Sequence, residues 1–305
     1  MSNLFNVDYL QHLCAKYGLR PSKQYGQNYL IDETAIEKII SAAELSKDDT
    51  VVEVGPGFGV LTLVLAQKAG KVVAFEIEKK LQPYWKDSQN KNIEIVWGNV
   101  LREVESRKSI KSIKFKVVSN LPYQITSPVL RMFLELERKP TLMVLMVQKE
   151  VAERICAKPG DMSVLSVSVQ YYAEPEIVDI VPRASFWPAP KVDSAIIKLR
   201  VKRDISLALS SAEERESEPS PSQRRGQGEV SPDQQFFHIV KIGFANRRKF
   251  LIKNLEQVVG KKNKEQLQKI FSELHLDPKV RAQELSVEQW KQLLARLSVI
   301  PAWAG

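Results

Sequence analysis

The stretch VVEVGPGFGVLTLVLA (residues 51–66) decides how the N-terminal part of the chain folds. Its first four residues are typical of a buried strand, and the residues after Gly59 have the apolar spacing of a helix that ends at Gly70. Gly55 and Gly57 precede Gly59 in the turn between them, where a tight bend and close approach of a ligand favour glycine. The spacing is GxGxG, whereas dinucleotide-binding folds that hold a pyrophosphate have GxGxxG. The stretch therefore predicts a strand, turn and helix that bind a ligand other than a nicotinamide dinucleotide.

Short apolar runs alternate with helical patterns on both sides of this stretch. Helical spacing is clear in IEKIISAAEL (36–45). Further strand-like runs are KVVAFEIE (71–78), NIEIVWGN (92–99), FKVVSNLP (115–122) and TLMVLMVQ (141–148). This βαβ alternation predicts an α/β fold with a mainly parallel, doubly wound sheet. Two strand-like runs around a Pro-containing loop in 176–202 predict a terminal antiparallel hairpin, and residues 162–173 are compatible with a helix or a strand.

The composition changes abruptly at LSSAEERESEPSPSQRRGQGEVSPDQQ (209–235). A segment so rich in Ser, Glu, Pro, Gln and Gly cannot bury enough apolar surface to offset the entropy of ordering, so it is interpreted as disordered. Amphipathic helical patterns follow in residues 236–259, 263–276 and 286–298. The predicted organisation is a first domain over 1–205, a disordered linker over 206–235 and a small helical domain over 236–305.

Charge and composition narrow the class of partner. The net charge is +9 and the pI about 9.3, which favours a polyanion such as nucleic acid as the partner.

Cys14 and Cys156 are the only cysteines and the three histidines lie far apart, so no disulfide framework and no metal site is expected. No apolar stretch approaches the roughly 18 residues that span a membrane. The first residues lack a signal sequence, which predicts a cytoplasmic protein.

Two polar residues follow the strands next to the glycine turn. Glu76 lies about 20 residues after the glycines at the end of a strand, where a carboxylate can accept both hydroxyl groups of a ribose. Ribose binding without a pyrophosphate site predicts S-adenosylmethionine as the cofactor. Asn99 follows the next strand and can meet the adenine of that cofactor. The alternative for Glu76 is a solvated side chain beside a tight turn, and the alternative for Asn99 is an ordinary turn.

The sequence NLPY (residues 120–123) ends another predicted strand. The side-chain oxygen of Asn120 and the carbonyl of Leu121 can accept hydrogen bonds from an amino group, and Pro122 stiffens the turn. Tyr123 can stack on a nucleobase that has left its helix. The alternative is a strand-ending turn with a core tyrosine.

A cluster of basic residues occurs in NRRKFLIKN (246–254). The residues that we predict to contact RNA phosphates from one helix are Arg247, Arg248, Lys249 and Lys253. Phe250 and Leu251 are predicted to face the protein core from the same helix. The alternative is a solvated charged face.

Seven segments, in this order, resemble the ribosomal RNA adenine dimethyltransferases, in particular the branch that acts on small-subunit rRNA. They are GQNYLID (26–32), VVEVGPGFGVLT (51–62), FEIE (75–78), VSNLPYQITSP (118–128), VQKEVAERI (147–155), FWPAPKVDSAI (186–196) and FANRRKFLIKNL (244–255). The resemblance implies a class I S-adenosylmethionine-dependent methyltransferase: a Rossmann-like, mainly parallel seven-stranded sheet with a small all-helical C-terminal domain. It further implies a monomer that methylates N6 of two adjacent adenines near the 3′ end of 16S rRNA, with the immature 30S subunit as partner.

The resemblance also implies roles for particular residues. Asn28 and Leu30 would line the methionine side of S-adenosylmethionine, and Gly55 and Gly57 its loop. Glu76 would bind the ribose, Asn99 the adenine, and Asn120 the region where cofactor and target meet. Phe186 would form the second face of a clamp around the target base; the alternative is packing in the core, since Trp187 beside it is equally able to be buried.

This chain departs from the family at two places. The family usually has Asp where this chain has Asn99, and an amide cannot offer a charge-assisted hydrogen bond. The serine-rich insertion at about 208–235 is longer than the family needs. Three other functions stay open: a large-subunit rRNA methyltransferase that confers antibiotic resistance, a DNA adenine methyltransferase, and a ribosome-assembly or transcription factor that binds RNA without essential catalysis.

Overall fold

The computed structural model describes residues 2–20, 28–87, 90–104, 110, 114–202, 231–260 and 263–298. The chain forms two compact units, the first from residues 1–156 and 172–202, the second from residues 157–171 and 203–305. Residues 157–171, which the sequence places within the domain 1–205, therefore cluster with the helical unit. Of the predicted linker 206–235, residues 206–230 lie outside the described residues.

The first unit contains a sheet of seven strands in the order β4-β3-β2-β5-β6-β9-β7. Strands β2 to β6 pair in parallel, whereas β9 pairs antiparallel with both β6 and β7. The predicted mainly parallel sheet and its antiparallel end are confirmed. The strands are β1 (Tyr29–Leu30), β2 (Thr50–Val54), β3 (Lys71–Glu76), β4 (Ile93–Trp97), β5 (Phe115–Asn120), β6 (Leu142–Gln148), β7 (Ala173–Val181), β8 (Phe186–Trp187) and β9 (Ser194–Val201).

Helices of the first unit connect these strands. They are α1 (Val7–Lys16), α2 (Glu33–Ala43), α3 (Thr62–Lys68), α4 (Gln82–Lys86), α5 (Val100–Glu103), α6 (Thr126–Glu135) and α7 (Lys149–Ile155), with short 3-10 turns at Ser2–Phe5, Lys79–Leu81, Tyr123–Ile125 and Arg183–Ser185. Asp32 begins α2, because its side chain accepts a hydrogen bond from the amide of Ala35. Buried α2 residues such as Ile36 and Ile39 pack into the same core cluster as Val51 of β2 and Val144 of β6. The helical spacing of 36–45 thus produces the layer that covers one face of the sheet.

The pairing of β1 with β8 attaches a distant segment to this unit. Leu30 lies opposite Phe186 and Tyr29 opposite Trp187 in a two-stranded antiparallel sheet. The amide of Ile31 also donates to the carbonyl of Ser185 at 2.9 Å. These bonds fix residues 28–30 beside the loop that precedes β9.

The second unit is helical in its described part. Its helices are α8 (Val164–Tyr172, of which residues 164–171 belong to this unit), α9 (Pro232–Gly243), α10 (Leu251–Val259), α11 (Lys264–Glu273) and α12 (Val287–Leu297), with a 3-10 turn at Ala282–Glu284. Residues 231–235, predicted as linker, start α9, because Ser231 and Gln234 form a reciprocal cap. In the ambiguous run 162–173, residues 164–172 are helical, and the Ser163 hydroxyl accepts from the amide of Ser166 at the start of this helix. The core of the unit centres on Trp290, which is fully buried.

One predicted helix is divided in two. The pattern over 236–259 predicts a continuous helix, but residues 244–250 form a turn between α9 and α10. The side-chain amide of Asn254 donates to the carbonyls of Gly243 and Asn246, at 2.6 and 3.1 Å. The amide of Leu251 donates to Val280 at 2.8 Å. These tertiary bonds outweigh the local helical preference of the segment.

Within the described part of the chain, no helix combines the length and apolar character that crossing a bilayer demands. The same residues contain no group of three or more His, Cys, Asp or Glu side chains placed to hold a metal ion.

Candidate active site

A cleft opens where the carboxyl ends of β2, β3, β4 and β5 meet. Parallel strands place these ends at one edge of the sheet, which is where ligands bind in open α/β sheets. The described residues that line this sheet-edge cleft are Asn28, Tyr29, Leu30, Glu53, Val54, Gly55, Pro56, Gly57, Val60, Leu61, Phe75, Glu76, Ile77, Gly98, Asn99, Val100, Asn120, Leu121, Pro122, Tyr123, Gln124 and Ile125. The cleft therefore brings together every residue predicted to bind the cofactor, together with the whole NLPY sequence.

The glycine turn forms one wall of the sheet-edge cleft. Gly57 and Gly59 have φ angles of 56° and 86°, a region that other residues rarely adopt. A Cβ atom on Gly59 would lie 2.7 Å from the Trp85 ring, which is closer than real Cβ contacts. The Trp85 indole N–H donates to the carbonyl of Gly57 at 2.9 Å and so fixes the turn from behind. Both the conformation and the packing of this turn require glycine.

Glu76 lies at the end of β3 against this turn. Its Oε2 accepts from the amide of Gly57 at 3.1 Å, and its Oε1 accepts from the amide of Glu78 at 2.8 Å. The side chain is 5% exposed, and burial raises its pKa while these amide donors oppose the rise. A carboxyl group held in this way keeps acceptor capacity for the hydroxyls of a ribose.

Asn99 lies at the end of the neighbouring strand, β4. Its side-chain oxygen accepts from the amide of Leu101 at 3.0 Å and caps the N-terminus of α5. This bond orients the amide group, so its NH2 is the part that remains to donate. The family Asp would have only acceptors at this place.

The NLPY sequence lines the same cleft beside the glycine turn. Asn120 is the last residue of β5, and the amide of Leu121 donates to the carbonyl of Met146 at 3.1 Å. Tyr123 starts a 3-10 turn, and its hydroxyl shares a 2.7 Å hydrogen bond with the hydroxyl of Ser194. Burial raises the pKa of Tyr123, with the Ser194 bond opposing the rise. The tip of the Tyr123 ring is therefore held in place while the ring lines the cleft.

Two residues of this region were not among the predicted site residues. Ser194 is fully buried at the start of β9, and Tyr29 lines the cleft with its ring stacked on Trp187 at 6.1 Å between ring centres. Both occur inside quoted motifs, FWPAPKVDSAI and GQNYLID. Sequence alone gave no sign that Ser194 contacts Tyr123, which lies 71 residues away.

The position of Phe186 corrects the predicted base clamp. Phe186 is 3% exposed and belongs to the core cluster under the sheet, and it is not part of the cleft lining. Its pairing with Leu30 turns the ring inward, so no free face is offered to a base. Trp187, the next residue, is half-buried and stacks on Tyr29.

The predicted basic cluster lies in the turn between α9 and α10. Arg247, Arg248 and Lys249 are exposed in this turn and only Lys253 is helical, so the prediction of one basic helix is wrong. Phe250, predicted to face the core, is 37% exposed, whereas Leu251 is buried as predicted. A shallow depression, here called the basic groove, is lined by Arg248, Lys249, Phe250, Lys253, Glu256, Gln257 and Gly260.

The lining of the sheet-edge cleft fits S-adenosylmethionine. A buried carboxyl group for a ribose, glycines that admit close approach, and apolar side chains such as Leu30 and Val100 for a flat ring are combined at one edge. The described lining has no Lys or Arg to neutralise a pyrophosphate. This agrees with the GxGxG spacing and with a cofactor that lacks phosphate.

A protein-family model matches a large part of the chain. Residues 18–209 match the family model described as ribosomal RNA adenine dimethylase, and these residues are more than half of the chain. They include the glycine turn, the NLPY sequence and β9.

Curated relatives are similar over almost the whole chain. A ribosomal RNA small subunit methyltransferase A from Dehalococcoides mccartyi is 40% identical over 91% of this chain and 88% of its own. The protein of the same name from Lactococcus lactis is 35% identical, over 96% of this chain and 95% of its own.

Two solved structures are similar in fold and in sequence. A dimethyladenosine transferase from Plasmodium falciparum has a TM-score of 0.68 and 26% identity, covering 88% of this chain and 97% of its own. The 23S rRNA methyltransferase ErmE has a TM-score of 0.63 and 26% identity, covering 88% of this chain and 99% of its own.

Proposed function

This chain belongs to the ribosomal RNA adenine dimethylase family and is an S-adenosylmethionine-dependent rRNA adenine dimethyltransferase, and we propose that its targets are two adjacent adenines of small-subunit rRNA. Both lie in the 3′-terminal hairpin loop of 16S rRNA, and each receives two methyl groups on N6. The curated relatives, named as small subunit methyltransferases, support this choice of RNA. The modification accompanies biogenesis of the small subunit.

The observation that carries the proposal is the meeting of Asn120, Glu76 and the glycine turn in the sheet-edge cleft. Adenine N6 is a poor nucleophile because its lone pair is delocalised into the ring. In the first transfer the Asn120 side-chain oxygen and the Leu121 carbonyl accept hydrogen bonds from the two N6 protons, which favours a pyramidal nitrogen with a localised pair. In the second transfer one of these acceptors binds the single remaining N6 proton, and each transfer releases one N6 proton to solvent. When bound, S-adenosylmethionine supplies the methyl group on an electrophilic sulfonium.

Tyr123 holds the target base in the proposed complex. Stacking of a base on an aromatic ring contributes about 1–3 kcal/mol. The Ser194 hydroxyl fixes the Tyr123 ring before the base binds, so base binding loses less side-chain conformational entropy. Positioning and electrostatics provide the acceleration, and the residues of the cleft need no strong general base.

The second unit binds RNA in this proposal. Arg248, Lys249 and Lys253 line the basic groove, and Arg247 is exposed in the same turn. Such side chains contact phosphates and release counterions, so binding weakens steeply with salt. The physiological partner is an immature 30S subunit.

The protein acts as a monomer in the cytoplasm. A single chain supports the monomer proposal, because it supplies every residue that the mechanism uses at the sheet-edge cleft. The oligomeric state is checked by sedimentation of the full chain alone and with the RNA substrate.

The experiment that tests this function offers labelled S-adenosylmethionine with three acceptors: under-modified small subunits, large subunits and DNA. Label in small-subunit RNA alone is expected. Label in large-subunit RNA alone would favour the second candidate, a large-subunit methyltransferase, which the similarity to ErmE supports. RNA binding with no label in any acceptor would indicate an assembly factor.

A further inference from the structure

Glu53 is a buried carboxyl group that the proposed methyl transfer does not use. It is the fourth residue of β2, is 2% exposed and lines the sheet-edge cleft. Its Oε2 atom is buried and has no hydrogen-bond partner within the described structure. The atom has almost no accessible surface, so a ligand in the cleft acts on this carboxyl group through its charge and not through a direct hydrogen bond to Oε2.

The charges around Glu53 favour a cation. Glu53 and Glu76 are the acidic residues of the cleft lining, and no Lys, Arg or His occurs among the described residues that line it. The other titratable groups there are the phenols of Tyr29 and Tyr123, and burial raises the pKa of both. Lys116 on the adjacent strand β5 is paired with Asp49 at 3.0 Å. The cleft thus offers two carboxyl groups and no cation of its own.

We propose that Glu53 recognises the positive charge of S-adenosylmethionine and thereby selects the cofactor over its product, S-adenosylhomocysteine. The cofactor contains a sulfonium, whereas methyl transfer converts that sulfur into a neutral thioether. The product therefore has one positive charge less. A carboxyl group that ionises beside the cofactor stabilises the cofactor complex and leaves the product complex without that gain, which favours product release.

The ionisation of Glu53 gives this selection a pH dependence. Burial raises the pKa of Glu53 to about 8, while the Thr62 hydroxyl opposes the rise and the nearby charge of Glu76 adds to it. Below that pH the free cleft holds Glu53 protonated, so binding of the cation releases one proton to solvent as the carboxylate forms. The affinity for S-adenosylmethionine therefore falls as the pH is lowered, by at most about tenfold per pH unit, and levels off above pH 8. The neutral product lacks this dependence.

Titration calorimetry on the full-length wild-type protein tests the proposal without any variant. S-Adenosylmethionine, S-adenosylhomocysteine and the cationic analogue sinefungin are each titrated between pH 6 and pH 9, in two buffers of different ionisation enthalpy. The expected result is release of nearly one proton at pH 7 for the two cationic ligands and essentially no release for the product. Equal proton release and equal pH slopes for cofactor and product would overturn the proposal.

The variant Glu53→Gln keeps the shape of the side chain and removes its proton. It is expected to bind S-adenosylmethionine about tenfold more weakly at pH 8, where the wild-type carboxylate contributes its negative charge to cofactor binding. Its affinity for the product is expected to stay within about twofold of wild type. An unchanged pH slope in the folded variant would also overturn the proposal. The inference rests on the cofactor and not on the RNA target, so its failure leaves the proposed rRNA substrate untouched.

Discussion

Ser194→Ala tests whether the bond between Ser194 and Tyr123 contributes to methyl transfer. The two hydroxyl groups lie 2.7 Å apart, Ser194 is fully buried and Tyr123 lines the cleft. A hydrogen bond of this kind contributes about 0.5–1.5 kcal/mol net. If all of it is used to hold the Tyr123 ring against the base, the rate constant of transfer falls by about 2- to 12-fold. Affinity for S-adenosylmethionine stays unchanged, because neither hydroxyl belongs to the proposed cofactor site.

The assay is single-turnover methylation of under-modified small subunits by wild type, Ser194→Ala, Tyr123→Phe and the double variant. Tyr123→Phe removes the other half of the same bond and keeps the ring. The double variant should therefore be no slower than either single variant, which gives a coupling energy of about 0.5–1.5 kcal/mol. Effects of the two single variants that multiply in the double variant would refute the reasoning, since the residues would then act independently.

Three further variants test other parts of the account. Gly59→Ala should lower the midpoints of thermal and denaturant unfolding more than Gly18→Ala, and it should also weaken cofactor binding more. Both glycines have positive φ (86° and 62°), but only the Gly59 Cβ would meet Trp85. Equal losses of stability would show that packing against Trp85 is unimportant. Asn99→Asp should tighten S-adenosylmethionine binding by calorimetry, because Asp caps α5 equally well and offers charge-assisted bonds; weaker binding would mean that the Asn99 NH2 group donates to the cofactor. Lys249→Gln should reduce the slope of log affinity for RNA against log salt by about 0.7–0.9, whereas Lys269→Gln, outside the basic groove, should leave it unchanged; equal slopes in all three proteins would remove Lys249 from the RNA contact.

The core of the fold and the cofactor side of the cleft were accessible from sequence because they depend on local patterns. The strand before Gly55 and the strand ending at Glu76 are short apolar runs, and parallel strands necessarily bring their ends to one edge. Local spacing alone therefore placed Glu76, Asn99 and Asn120 near one another.

The features that sequence missed all depend on contacts between distant segments. Phe186 is turned inward by its pairing with Leu30, and no local pattern distinguishes it from Trp187. The break between α9 and α10 is held by bonds from Asn254 to carbonyls at the turn and from Leu251 to the distant carbonyl of Val280, although the segment has ordinary helical residues. The Ser194 contact with Tyr123 joins β9 to the end of β5, and such pairs are set by the tertiary fold.

Mass spectrometry of the 3′-terminal fragment of small-subunit RNA, after reaction of under-modified subunits with this protein and S-adenosylmethionine, tests the central claim most directly. Two adjacent N6,N6-dimethyladenosines are expected with the wild-type protein. None is expected with Asn120→Ala, although that variant still binds the RNA. An unmodified fragment after reaction with wild type, or normal dimethylation by Asn120→Ala, would show that the proposed function or the proposed role of Asn120 is wrong.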